Sequence, residues 1–354
     1  MKNFADIHTH ISNTEPQRIE SMFDISKANG VTDIGIHSLA HFGERGGILQ
    51  NIDVLAVKKI YSTEDFRIWA FTAFHEADSL FGNIPYAEQV KIQLALGADG
   101  IKSIQMKPNV RKRIGKGIDH ESYDEVFAIL EERGVPVMIH SGDPEDNWDI
   151  TKVNEYLIKH GWYYGDGTHL SVQEHYDEVF RRLDKNPKLI VILAHFFFLS
   201  NRMDEAKRVL DKYPNAYFDV TPGWEMFVNF SKDIDAWQKF FEEYSDRIVY
   251  GTDCDSCKKY NEKIYQLVES GLTHDKSEVQ LPCYSDKMIK GLDLTDEALE
   301  KIRYKNFARI CKGEPKPVDT SALREYIEKM ICVFGENEKY VAECERLRAY
   351  LTIV

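Results

Sequence analysis

Eight short apolar runs alternate with longer amphipathic stretches over roughly the first 255 residues of this 354-residue chain. The runs cover residues 3–10, 32–37, 67–74, 99–106, 135–140, 189–195, 216–221 and 247–252. Between them the spacing turns helical. From Ser122 to Arg133, Tyr123, Val126, Phe127 and Leu130 recur on one face, and Val172 to Asp184 reads the same way. A run as continuously apolar as Leu189 to Ala194 belongs in a sheet covered on both faces. Eight strand–helix units in about 250 residues have the size and rhythm of an α/β fold of the (β/α)8 TIM-barrel type. An open doubly wound sheet would carry a glycine-rich turn after its first strand. Here His10 is followed by Ile11-Ser12-Asn13-Thr14, so a barrel is expected.

The barrel is expected over 1–312 and a C-terminal helical extension over 313–354. In the extension Ala322, Tyr326, Met330 and Phe334 fall near a four-residue period. Its helices would pack on the barrel or on a second copy of the chain, which allows a homodimer. Three segments are longer than minimal connections. One is Lys107 to His120, with Lys107, Arg111, Lys112, Arg113 and Lys116; another is Asp143 to Leu170, with Trp148, Trp162, Tyr163 and Tyr164. The third runs from Gly271 to Leu292, before a helix-like stretch from Thr295 to Lys312.

Composition excludes several classes. Hydrophobic content of 43% is ample for a core, and a net charge of −13 argues against broad nucleic-acid binding. The longest apolar run, Leu189 to Leu199, is interrupted by His195 and is too short for a membrane span. The first run starts almost at the N-terminus, which leaves no room for a signal peptide. All six cysteines (Cys254, Cys257, Cys283, Cys311, Cys332 and Cys344) lie from residue 254 onward. A secreted disulfide framework would staple a much smaller domain, so reduced thiols and a cytoplasmic location are expected.

The chemistry sits at the ends of the runs. In Asp6-Ile7-His8-Thr9-His10 the three alternate residues share one face of a strand, and two imidazoles at that spacing can clamp one divalent metal. His140 ends the fifth run, His195 the sixth, and Asp253 follows the eighth. Barrel sites assemble at these carboxyl ends. Imidazole and carboxylate ligands suit Zn²⁺, Mn²⁺ or Fe²⁺, with zinc the default. An aspartate beside a metal-activated water can take its proton and return it to a leaving group. His37 and His75 end the second and third runs and Trp224 and Glu225 follow the seventh, where they can line the mouth. Lys107 lies nearest a strand end among the basic residues of its loop and can capture an anionic group on a small-molecule substrate. Asp6 sits deeper, where support of the ligands suits it better than ligation.

These pieces resemble the amidohydrolase superfamily, and within it the amidohydrolase-2 branch of metal-dependent hydrolases and decarboxylases. The matching motifs are Asp6-Ile7-His8-Thr9-His10, His140-Ser141-Gly142-Asp143-Pro144, Leu193-Ala194-His195 and Tyr250-Gly251-Thr252-Asp253. Asn215-Ala216-Tyr217-Phe218-Asp219 and the closing stretch Lys301 to Arg309 support them, in the right order, over about residues 4 to 312. The resemblance implies that His8, His10 and His140 are metal ligands and that Asp253 is both ligand and proton shuttle. His195 would hold a second metal or polarise the substrate. One departure bears on the metal count. On strand four this branch usually has two lysines and a histidine before a proline, and binuclear relatives bridge two metals with a carbamylated lysine. Here Lys102 keeps the first lysine, Gln105 replaces the second and Lys107 replaces the histidine. Gln105 cannot form a carbamate and Lys102 would have to slip three residues, so one ion is expected.

The expected activity is hydrolysis of a small amide, ester, lactone or ring C–N bond by metal-activated water. The alternative is metal-dependent non-oxidative decarboxylation of an aromatic or unsaturated acid. A third reading, a metal-binding barrel without catalysis, is disfavoured by the complete ligand set.

Overall fold

The computed structural model describes residues 3–12, 14–39, 47–74, 84–223, 225–259, 261–280, 287–335 and 337–351. Nine parallel strands form one sheet: β1 (Ala5–His10), β2 (Asp33–His37), β3 (Arg67–Thr72), β4 (Gly100–Met106), β5 (Val137–Ser141), β6 (Val191–Leu193), β7 (Ala216–Asp219), β8 (Ile248–Val249) and β9 (Cys254–Asp255). Their order is β8-β7-β6-β5-β4-β3-β2-β1-β9. β8 and β9 are two pieces of the eighth barrel position. β8 pairs with β7 and β9 with β1, while Ile7 N–H donates to the Tyr250 carbonyl (3.0 Å) and Asp253 N–H to the His8 carbonyl (2.7 Å). The sheet curls into a TIM barrel, with helices outside and a helical C-terminal part.

All eight expected strands are present, most of them shorter than their apolar runs. Left-handed backbone follows the sixth and lies just before β9 in the eighth position. His195, Phe196, Phe197 and Phe198 have φ of 57°, 54°, 54° and 53°, and Asp253 has φ of 59°. An extended ladder cannot continue through such residues.

Apart from Arg67, every residue of the nine strands is buried, as alternating burial on two covered faces requires. One core lies between strands and helices. A smaller one fills the barrel axis, where Ala5, Ile7, Trp69, Phe71, Met138 and Ile192 meet Phe307 and Ile310. Those last two come from the helix Asn306–Cys311, which plugs the end of the barrel opposite the site. Asn306 Nδ2 fastens the plug by donating to the carbonyls of Ser245 (2.8 Å) and Ile248 (2.7 Å).

The C-terminal stretch forms two helices, Thr320–Phe334 and Glu338–Tyr350. Asp319 caps the first by accepting from Ala322 N–H. Its buried face (Leu323, Tyr326, Ile327, Met330, Phe334) packs on the helices Gly47–Tyr61 and Tyr86–Leu96, joining the barrel's own core. Among the described residues no helix is long and apolar enough to cross a membrane, and Cys254, Cys257, Cys311, Cys332 and Cys344 are free thiols.

The helix Val172–Lys185 carries an acid-sensitive residue. His175 is buried, and among the described residues neither ring nitrogen has a hydrogen-bond partner. Burial lowers its pKa to about 4. The unfolded chain takes up this proton near the ordinary 6.5, so folding is penalised as pH falls from 6.5 towards 4. Stability should fall by up to about 3 kcal/mol across that window from this group alone. Denaturant titrations of wild type and His175→Phe at several pH values check this. The wild-type curve is expected to be steeper, and parallel curves would show that His175 is not the source.

Candidate active site

The parallel register puts the carboxyl ends of all eight barrel positions at one mouth, over a cavity of about 470 Å³. His8 and His10, two apart on β1, project into it together. His8 Nδ1–H donates to Asp219 Oδ2 (2.7 Å), and its Nε2 accepts from Lys102 Nζ (2.8 Å). His10 Nδ1–H donates to the His37 carbonyl (3.1 Å), which leaves Nε2 facing Asp253 Oδ1 at 3.0 Å. One donor atom from each of His8, His10 and Asp253 lies within 4.8 Å of the others. With both Nδ1 atoms engaged by acceptors, both Nε2 atoms face the shared centre beside a carboxylate, with Lys102 Nζ now donating to that of His8. That donor set fits a divalent metal.

Electrostatics keeps these donors in the required states. Burial, and then the charge on Lys102, hold the His8 and His37 imidazoles well below their ordinary pKa. Burial and the neighbouring His140 do the same for His195. His140 is lowered to about 4 by burial and then by Lys107. All four are therefore neutral near pH 7. Burial pushes the Asp253 carboxyl up, but Lys258 and His10 outweigh it and hold the group ionised; Lys258 Nζ sits 3.0 Å from Oδ2.

His140 and His195 stand across the cavity, with ring centroids 4.8 Å apart. The structure does not bring His140 into the three-atom group. Its Nε2 donates to the Gly142 carbonyl (3.1 Å) and lies 3.4 Å from Asp143 Oδ1. His195 is 5.2 Å from His8, ring to ring, and its buried Nδ1 has no hydrogen-bond partner among the described residues. Lys107 lines the cavity with its ammonium on both oxygens of Asp143 (2.7 and 2.9 Å), and Tyr164 O–H donates to the same carboxylate (2.6 Å). His37 stands behind His10 rather than on the cavity wall. Its ring stacks on Phe71 at 4.3 Å, and its Nε2–H donates to the Ile7 carbonyl (2.6 Å). Asp6 is buried beneath the ligands, accepting from Thr252 and Tyr265 hydroxyls, and burial raises it to about 6. His75 and Trp224 lie outside the described residues.

Sequence reasoning misplaced one strand-four residue. Lys102 needs no slip to reach the site, for its buried amine already lies on the cavity wall against His8. Gln105 faces the other way, donating to the Phe74 carbonyl (2.8 Å) and accepting from Ser103. The period of two along β4, which puts Lys102 and Ile104 on one face, was the available signal. Asp219, Lys258 and Phe198 were missed as well. Phe198 stacks on His195 (5.2 Å) and, with Leu157 and Trp162, supplies an apolar wall.

A parallel (β/α)8 barrel with paired histidines on its first strand and an aspartate after its eighth, all facing one cavity, has the build of a metal-dependent barrel enzyme. The chain belongs to the amidohydrolase family, whose model matches residues 5–310. Solved structures share the fold. A proposed amidohydrolase from Staphylococcus aureus is 21% identical with a TM-score of 0.54, covering 87% of this chain and 99% of its own. IDCase from Metarhizium anisopliae is 14% identical with a TM-score of 0.52, covering 88% and 97%. An uncharacterised TIM-barrel protein from Bordetella bronchiseptica is 18% identical with a TM-score of 0.51, covering 87% and 98%. Among curated proteins none matches the chain.

Proposed function

We propose that this amidohydrolase is a metal-dependent hydrolase acting on a small amide, ester, lactone or ring C–N bond. The observation that carries the reading is the convergence of His8 Nε2, His10 Nε2 and the Asp253 carboxylate on one point at the cavity floor. A divalent cation there, zinc by default and Mn²⁺ or Fe²⁺ as alternatives, supplies Lewis acidity and a water acidic enough to be a nucleophile near neutral pH. His8, His10 and Asp253 would hold the ion, while His140 stands across the cavity beside His195. One ion per chain is proposed because, among the described residues, only one such group of three donors is present.

The chain's own residues then divide the work. Asp253 accepts the proton of the attacking water and returns it to the leaving group, its second oxygen fixed by Lys258. His195, which lines the cavity, polarises the substrate carbonyl. Lys107 binds an anionic substituent. Phe198, Trp162 and Leu157 cover the reacting group and exclude water.

A second reading is favoured by one feature, the cationic Lys107 beside the Trp162 ring (5.9 Å), which suits a planar carboxylic acid and its decarboxylation. Screening metal-loaded protein in ¹⁸O-labelled water separates the two. Label in the product without carbon dioxide release is expected. Carbon dioxide release without net water addition would replace the hydrolase reading with the lyase one.

A further inference from the structure

Asp219, at the carboxyl end of β7, is fully buried and touches two cavity histidines from two other strands. Its Oδ2 accepts from His8 Nδ1 (2.7 Å); its Oδ1 accepts from the backbone N–H of His195 (2.6 Å) and, more weakly, from Thr221 N–H (3.2 Å). The two histidines need this for different reasons. His8 must carry its proton on Nδ1 if Nε2 is to offer a lone pair, and Lys102, donating to Nε2 from the other side, selects the same tautomer. His195 opens four consecutive left-handed residues without a glycine, a conformation that side-chain-bearing residues adopt only when the surroundings hold it. That turn is anchored at its start by Asp219 and along its length by aromatic packing: Phe196 on Phe218 (4.8 Å) and Phe230 (5.1 Å), Phe197 on Tyr176 (4.8 Å). Gly251 packs against the same group: a Cβ there would meet Thr221 Oγ1 at 2.3 Å, His8 Cβ at 3.0 Å and Asp219 Cβ at 3.7 Å, so only glycine lets the eighth barrel position approach this closely.

We propose that Asp219 is a shared positioning residue, one oxygen aiming His8 at the metal and the other clamping the turn that aims His195 at the substrate. The assignment of His8 rests on the metal reading above; the clamp on His195 does not. Asparagine at 219 has one acceptor oxygen for two donors. With that oxygen on His195, its NH₂ faces His8 Nδ1 and drives the His8 proton to Nε2, where it blocks ligation.

The experiment compares wild type with Asp219→Asn in three readouts. Zinc affinity is measured by competition with a chromophoric chelator, the protonated nitrogen of His8 by ¹⁵N shifts in histidine-labelled, chelator-treated protein, and amide exchange of residues 195–198 by peptide mass spectrometry. The expected result is a wild-type His8 protonated on Nδ1, zinc affinity about 10–100-fold weaker in the variant, and faster exchange in the turn. Unchanged zinc affinity and unchanged exchange would overturn the proposal, as would a wild-type His8 protonated on Nε2. If wild type takes up no zinc, the metal reading fails, while the tautomer and exchange data still decide the role of Asp219. Should the variant not fold, a wild-type His8 protonated on Nε2 would still overturn the proposal.

Discussion

Asp253→Asn should lose turnover by about 10²–10⁴-fold or more while keeping the wild-type fold. Asparagine is close to isosteric, and it is one of the few residues besides glycine that tolerates the left-handed backbone at this position (φ 59°). The amide cannot accept a proton, and it no longer offers an anion to the metal or to Lys258, which now holds Oδ2 at 3.0 Å. Circular dichroism and thermal melting of the metal-free variant should overlay those of metal-free wild type, so that the loss is not read as unfolding. Retained activity on any substrate turned over by wild type would sink the proton-shuttle role.

Complete loss of activity is also expected when the metal is stripped by a chelator, with recovery on adding zinc, manganese or ferrous iron. Elemental mass spectrometry of protein purified without chelator should give close to one ion per chain. Close to two would bring Lys102, already against His8, into the metal site and undo the single-ion reading. No uptake after reconstitution would remove the basis of the proposed function. The bound ion should also raise the melting temperature, since a ligand at 100 times its Kd adds about 2.7 kcal/mol of stability.

The barrel and the position of its mouth were legible in the sequence because both follow from local rules. Near-continuous apolar runs mark strands buried on two faces, and the polar residue ending each run marks its carboxyl end. His8, His10 and Asp253 were readable this way although Asp253 lies over 240 positions from the others. What escaped was whatever depends on orientation or on contacts across the sheet. Phe196, Phe197 and Phe198 look like continued strand, and only the surrounding aromatic cage makes a left-handed turn of them. Alternation along β4 separates Lys102 from Gln105, but each face carries a polar residue, so it did not show which of the two points inward. Asp219 could be matched to a strand-end motif, but its bond to His8 spans 211 residues and leaves no local trace.

The eighth barrel position also governs the order in which the molecule can be built. β1 emerges first during synthesis, yet one of its edges is satisfied only by residues 250 to 256. Until they arrive, the nascent sheet carries an open edge, the kind of surface on which chains pair with the wrong neighbour. The segment that seals that edge also delivers Asp253 to His8 and His10. In the proposed metal site the third donor therefore arrives only with the residues that close the barrel, so the complete ligand set cannot form before that edge is sealed.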